Sequence, residues 1–216
     1  MTRILIVDDH PLMRKGLAMS LEAEGDLRVV AQCADAQAAL DALGEQEVDL
    51  CVVDVSLPGM SGLELIKHIQ AAKPGLPILV ASRHDEALYA ERAIRAGARG
   101  YVMKLEAADV IVKAVRRVLR GGIYVSEEIN DRLLMGMAQG HDPLAKSPLE
   151  VLSDRELEVF EMTGKGHATR DIAEKLHLSV KTVESYRARI KNKLNLRNAA
   201  EFMQHAVNWV EGEGAG

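Results

Sequence analysis

The sequence predicts an α/β domain built on a doubly wound, five-stranded parallel sheet of order 2-1-3-4-5, followed by a smaller all-helical domain. Three observations predict it. From Arg3 to about Gly121, short runs rich in Val, Ile and Leu alternate five times with helical stretches, at the spacing of βαβ units. The runs are continuously apolar rather than alternating, so each should be buried on both faces, as in a parallel sheet covered by helices. After Gly121-Gly122 the alternation stops, and only helical periodicity follows, to Val210.

The elements follow in order. "RILIV" leads into a helix over 11–23, "LRVVAQC" into one over 35–44, and "VDLCVVD" into one over 61–72. "PILVAS" leads into 85–96 and "RGYVMK" into 106–120. Ser61-Gly-Leu-Glu64 reads as a capping box that opens the third helix. Gly25, Gly44, Gly97 and Gly121 stand where helices should end. The first domain is therefore expected over 1–121. Residues 122–149 read as a linker with a short helix over 126–137 and then "AQGHDPLAKSP", rich in Gly, Pro and polar residues. Ser153-Asp-Arg-Glu156 is a second capping box, opening a helical domain over 150–211. Residues 212–216 read as a frayed tail.

Composition narrows the function classes. The chain has 216 residues, 48% of them apolar, and a net charge of −5, which argues against a protein that is basic throughout. No apolar run approaches the roughly 18 residues of a membrane span. The N-terminus lacks the apolar core of a signal peptide, so the expected location is the cytoplasm, with no membrane partner. Cys33 and Cys51 both sit in strand-like runs; they read as small buried hydrophobes in a reducing compartment, and match no metal motif.

Asp8 and Asp9 close the first strand, and Asp54 closes the third. In a sheet of order 2-1-3-4-5 those strands are neighbours at the switch point, where ligands bind outside the carboxyl ends. Three carboxylates from distant sequence then share one crevice. Left bare they repel and raise one another's pKa; a hard divalent cation, Mg²⁺ or Mn²⁺, resolves that with oxygen ligands. Ser82 ends the fourth strand with a hydroxyl, and Lys104 ends the fifth with an ammonium. Carboxylates, cation, hydroxyl and lysine make a phosphoryl-transfer pocket. Asp54 is the expected nucleophile, left accessible by the Pro-Gly loop that follows it. The Asp8-Asp9 pair suits the metal. Taken singly, each residue also has a plain reading as a turn former, a helix cap or a solvated lysine.

This set resembles the receiver domain of two-component response regulators, a flavodoxin-like fold. The matching residues are Asp8-Asp9, "DVSLPGMSG" from Asp54 to Gly62, Ser82, Tyr101 and Lys104. The resemblance implies that Asp54 accepts a phosphoryl group from a cognate histidine kinase. Asp8, Asp9, Asp54 and the Ser56 carbonyl would hold Mg²⁺, and Ser82 with Tyr101 would form a switch pair. Leu105 follows Lys104 where many receivers have proline, which leaves the shape of the next loop open.

The second domain carries a local charge asymmetry. Between Lys165 and Arg197 nine Lys and Arg face three acids, a basic patch on an acidic protein that suggests a polyanion. "ATRDIAEKLHLSVKTVESYRARIKNKL" parses as helix, tight turn, helix. Val183, Ile190 and Leu194 line one side of the second helix, with the stem of Arg187 between them. Glu184, Ser185, Ala188 and Asn192 line the other, polar and small as a major-groove reader requires. Lys181, Arg189 and Lys193 flank it at phosphate-binding positions. A surface amphipathic helix with a solvated charged face is the plain alternative. The stretch from Leu152 to Leu196 resembles the LuxR-type domain of NarL/FixJ-family regulators, with Lys181-Thr182-Val183 among the matching points. The resemblance implies that residues 181, 182, 184, 185, 187–189, 192 and 193 contact double-stranded DNA. Glu184 departs from many relatives. It also implies that the last helix, over 199–210, supports a homodimer; its Phe202, Ala206 and Trp209 fit an interface or the domain's own core equally.

The resulting expectation is a response regulator and not an enzyme: a phosphorylation-switched dimer that binds promoter DNA at half-sites about one helical turn apart, with RNA polymerase as a further candidate partner. Two other readings stay open. An aspartyl phosphohydrolase would use Asp54 as nucleophile, although the haloacid dehalogenase type needs a second acid where this chain has Ser56. An atypical regulator would never take phosphate.

Overall fold

The computed structural model describes residues 1–106, 108–138 and 151–213. Its elements run β1 Thr2–Val7, α1 Pro11–Glu22, β2 Leu27–Cys33, α2 Ala36–Glu45, β3 Leu50–Val53, α3 Gly62–Ala72, β4 Ile78–Ser82, α4 Glu86–Ala96, β5 Gly100–Met103, α5 Ala108–Leu119 and α6 Glu127–Ala138. Then come α7 Asp154–Gly164, α8 Thr169–Lys175, α9 Val180–Lys193 and α10 Ala199–Glu213. The chain divides into two compact units, 1–140 and 141–216.

In the first unit every strand pair is parallel, in the order β2-β1-β3-β4-β5. Strands β3 and β4 are buried at every position. β2 is not, because it is an edge strand with one flank open; only Leu27 and Cys33 at its ends are buried. Cys33 and Cys51 are free and buried. On one sheet face Ile4, Ile6, Leu50, Val52, Leu79 and Val102 pack against Leu17 and Leu21 of α1 and Ile111, Val115 and Val118 of α5. Each fully buried side chain of this size contributes about 1.5–3 kcal/mol relative to exposure.

The capping boxes expected at Ser61 and Ser153 are both present. Gly97 ends α4 at φ 111°, and Gly25 and Gly121 also take positive φ. Gly44 differs from expectation. It lies inside α2, which ends on the extended residue Gln46, whose N–H still reaches the Ala42 carbonyl. The helix is thus closed by an extended residue and needs no left-handed one. α8 is short, at 7 residues. The helix expected within the linker is present as α6. It packs on α4 and lies within the first compact unit. Most of "AQGHDPLAKSP" lies outside the described residues, as do residues 214–216 of the tail.

Two ion-pair clusters pin the ends of strands. The Arg3 backbone N–H and guanidinium donate to Asp49 at 2.7, 3.0 and 2.8 Å, and the guanidinium also meets Glu47. Arg116 of α5 reaches Asp26 and Glu24 beyond the end of α1. The Arg3 hydrogen bonds pull the Asp49 carboxyl down to about 2. A carboxyl depressed in the folded state contributes stability above its unfolded pKa, near 4, and loses it as pH falls through the folded value. Arg3→Met should therefore be less stable than wild type at pH 7, with a gap that narrows between pH 4 and pH 2. Urea unfolding at a series of pH values measures this; a gap constant down to pH 2 would refute it.

Candidate acidic pocket and nucleic-acid interface

Strand pairing builds the pocket. Val7 of β1 is in register with Val53 of β3, and the Asp54 N–H donates to the Val7 carbonyl at 2.9 Å. This sets Asp8 and Asp54 side by side past the two strand ends. Strand β5 pairs with β4, and the Lys104 N–H donates to the Ser82 carbonyl at 2.7 Å, which brings the lysine to the same crevice. Lys104 Nζ lies 2.6 Å from Asp8 Oδ2 and 2.6 Å from Asp54 Oδ2. All three are nearly solvent-free, at 1% exposure for Asp8, 4% for Asp54 and 4% for Lys104. Burial pushes the Asp54 carboxyl up, and the adjacent Lys104 ammonium opposes the shift. Burial disfavours the charged form more than one shared cation restores it.

Gly62 explains how Asp54 is held. A Cβ at that position would lie 1.8 Å from the Asp54 carbonyl oxygen, so only glycine lets α3 begin directly behind the aspartate. The expected accessibility of Asp54 is corrected here: the Pro-Gly loop does not expose it. Asp8 and Lys104 close on it from two sides. Across the mouth, His84 Nε2 and Ser56 Oγ are 2.7 Å apart, joining the loops after β3 and β4.

Ser82 is fully buried, and its hydroxyl accepts from the His84 N–H at 3.2 Å. Tyr101 is turned inward at 1% exposure, and its hydroxyl donates to the His84 carbonyl at 2.8 Å. Ser56 is placed through its side chain, toward His84. Two residues at the site had not been singled out from sequence. His84 ties Ser56, Ser82 and Tyr101 together and packs on the Tyr89 ring at 4.6 Å. His10 Nδ1 lies 2.5 Å from Asp9 Oδ1. His10 gave a weak signal, by its adjacency to Asp8 and Asp9; His84 gave none, being an isolated histidine in a loop.

The donor set suits a hard cation. Asp8, Asp9, His10 and Asp54 each offer a ligand atom, all within 4.8 Å of one another. Three carboxylates against one ammonium leave a formal charge of −2, the charge a divalent ion balances, with oxygen donors of the kind Mg²⁺ takes.

In the second unit, α8, a turn and α9 form the expected helix-turn-helix. His177 takes φ 53° in the turn, and the Leu178 N–H returns to the Ala173 carbonyl at 2.8 Å. Ser179 caps α9 by accepting from the Thr182 N–H at 3.0 Å. Val183 and Ile190 are buried. Lys181, Glu184, Ser185, Ala188, Arg189 and Asn192 are exposed, and Thr182 is half-buried. Arg187 is turned toward the domain, donating to Thr169 Oγ1 with its guanidinium 5.1 Å above the Phe202 ring. Lys193 Nζ donates to Glu156 Oε2 at 2.7 Å, tying the end of α9 to the first turn of α7. Phe202 and Ala206 of α10 are buried, and the Trp209 and Phe160 ring centroids lie 5.6 Å apart, so these residues serve the domain's own core.

Comparison with known proteins agrees with both halves. Residues 4–116 match the response regulator receiver domain, and residues 150–206 match the luxR family of bacterial regulatory proteins. The chain belongs to the response regulators that join a receiver to a LuxR-type helix-turn-helix domain, a family of transcription regulators and not of enzymes. It is 35% identical to the oxygen regulatory protein NreC of Staphylococcus haemolyticus over 95% of this chain and 96% of that protein. Among solved structures it is similar to RcsB of Salmonella enterica serovar Typhimurium, bound to promoter rprA with the phosphomimetic BeF₃⁻. The TM-score is 0.62 and the identity 27%, over 95% of this chain and 98% of that one. A LuxR-family response regulator from Aurantimonas is 34% identical, covers 64% of this chain and 99% of its own, and has a TM-score of 0.59. Receiver domains imply a histidine-kinase partner, and LuxR-type domains imply DNA binding. Among the described residues no helix is long and apolar enough to cross a membrane.

Removing the cation between two buried carboxylates should be costly. Lys104→Met is expected to lose about 3–5 kcal/mol in metal-free buffer, the range for breaking a buried ion pair from one side, and to recover much of it on addition of Mg²⁺. Urea unfolding with and without the ion measures both. A loss below about 1 kcal/mol would contradict the bridging role.

Proposed function

We propose that Asp54 is the phosphoacceptor and that its phosphorylation, by a cognate histidine kinase, controls promoter binding through α9. The observation that carries this is the Lys104 ammonium shared between Asp8 and Asp54 in a nearly dry crevice. An Asp54 carboxylate oxygen would attack phosphorus, forming a P–O bond as the P–N bond to the donor histidine breaks. Lys104 would then exchange its hold on the carboxylate for one on a phosphate oxygen, and the Ser82 hydroxyl would turn to another. Asp8, Asp9 and Asp54, with the Ser56 carbonyl, would hold Mg²⁺ or Mn²⁺, which when bound neutralises charge on the transferring phosphoryl oxygens. Phosphorylation adds about −1.5 to −2 of charge. Those contacts reach it only with the loops after β4 and β5 closed, which supplies a switch.

The exposed face of α9 would enter the major groove. Lys181 and Arg189 would contact phosphates, while Thr182, Glu184, Ser185, Ala188 and Asn192 would face base edges. Glu184 can accept from a cytosine amino group. Arg187 would brace α9 against Phe202, and Lys193 would meet the DNA only by leaving Glu156. RcsB bound to promoter DNA supports this placement by similarity. A homodimer on two half-sites and contact with RNA polymerase extend the same reading, as does a cytoplasmic location.

Acetyl phosphate with Mg²⁺ should add one phosphoryl mass to wild type and none to Asp54→Asn in intact-mass spectra. No adduct on wild type would favour a phosphorylation-independent regulator, and many phosphates released per protein from a small monoester would favour a hydrolase. Arg189→Ala should weaken binding to all duplex DNA and lower the slope of log affinity against log salt by about one; an unchanged slope removes Arg189 from the phosphate contacts.

A further inference from the structure

The residues after α5 do more than leave the sheet. β5 is an edge strand, and Tyr124 covers it. The Tyr101 N–H donates to the Tyr124 carbonyl at 2.8 Å, and the Tyr124 N–H donates to the Arg99 carbonyl at 3.0 Å, a parallel bridge opposite Gly100. The approach is close enough to demand glycine: a Cβ at position 100 would lie 2.8 Å from the Tyr124 carbonyl oxygen. Farther on, α6 lies against α4. The Ser126 N–H donates to Glu86 Oε1 at 2.8 Å, the Arg132 guanidinium reaches the Ala87 carbonyl at 3.4 Å, and Ile129 of α6 is 3% exposed.

The same hydrogen bonds lead back to the pocket. Tyr101, whose N–H holds Tyr124, uses its hydroxyl to hold the His84 carbonyl. The His84 ring meets Ser56, two residues beyond Asp54. Glu86, which takes the Ser126 N–H, begins α4 two residues after His84.

We propose that docking of residues 123–138 on β5 and α4 is coupled to phosphoryl occupancy of Asp54, each favouring the other, so that this segment is the element through which the pocket is read. The proposal rests on Asp54 being the phosphoacceptor. Docking holds Tyr101 in place at its backbone. The Tyr101 hydroxyl holds the loop that carries Ser82 and His84 across the pocket mouth. That closed loop is also what a phosphoryl group needs for the Ser82 hydroxyl to reach it. Both events select one arrangement, and linkage makes their effects on affinity equal and reciprocal.

The test uses the full chain and beryllofluoride with Mg²⁺ as the probe. Wild type should bind it, and the amides of Tyr101, Tyr124 and Ser126 should exchange several-fold more slowly in its presence. Ile129→Ala should bind beryllofluoride roughly fivefold more weakly or worse, the lower end of usual coupling, with thermal melting showing it folded. Should it unfold, Glu86→Ala, which removes the acceptor for the Ser126 N–H, carries the same expectation. Unchanged exchange in wild type, or wild-type affinity in a folded variant, overturns the coupling and leaves the phosphoacceptor reading standing. No binding by wild type overturns both.

Discussion

One ammonium group held between two buried carboxylates organises the first half of this protein. Two like charges about 4 Å apart repel by roughly 4 kcal/mol at an effective dielectric of 20, and Asp8 and Asp54 are brought together by strand register rather than by choice of partner. Lys104 makes that proximity tolerable, and it can do so only because β5 ends beside β4 at the same crevice. Charge left over in the pocket is negative, which suits a divalent cation. Sheet order and pocket chemistry therefore share one origin.

Hydrogen bonds join the loops around that cluster. Ser56 lies in the loop after β3, Ser82 ends β4 and Tyr101 lies within β5, and His84 bonds to all three. All three contacts are part-buried. The second half works on another principle. Its recognition helix is fixed from behind by Val183, Ile190 and the Arg187–Phe202 stack, which leaves the outer face small and polar, free to meet a groove.

Much of this was legible in the residues. Five apolar runs with helical stretches between them gave the sheet, because a strand buried on both faces has no use for polar positions. Asp8, Asp54 and Lys104 could be placed together because strand order follows from connection rules and strand ends then coincide. Gly44 misled, since a glycine near a helix end need not be its left-handed terminator. The burial of Asp54 was missed because it depends on side chains from other strand ends closing over it, and a local Pro-Gly motif says nothing about those. Lys193 carries charge that suggested phosphate, and Arg187, whose stem fell on the apolar side of its helix, was a DNA contact only by resemblance. In the structure they meet Phe202, Thr169 and Glu156, partners distant in sequence that no helical periodicity reveals. The bridge from Gly100 to Tyr124 was also hidden, because two residues make no recognisable strand.

The most direct test measures the affinity of the full chain for its promoter DNA at fixed salt, with and without Mg²⁺ and beryllofluoride, for wild type and Asp54→Asn. The mimic should change wild-type affinity severalfold and leave the variant unaffected. Equal affinity with and without the mimic in wild type, under conditions where the pocket is shown to bind it, would contradict the claim that the acidic cluster governs the DNA-binding half.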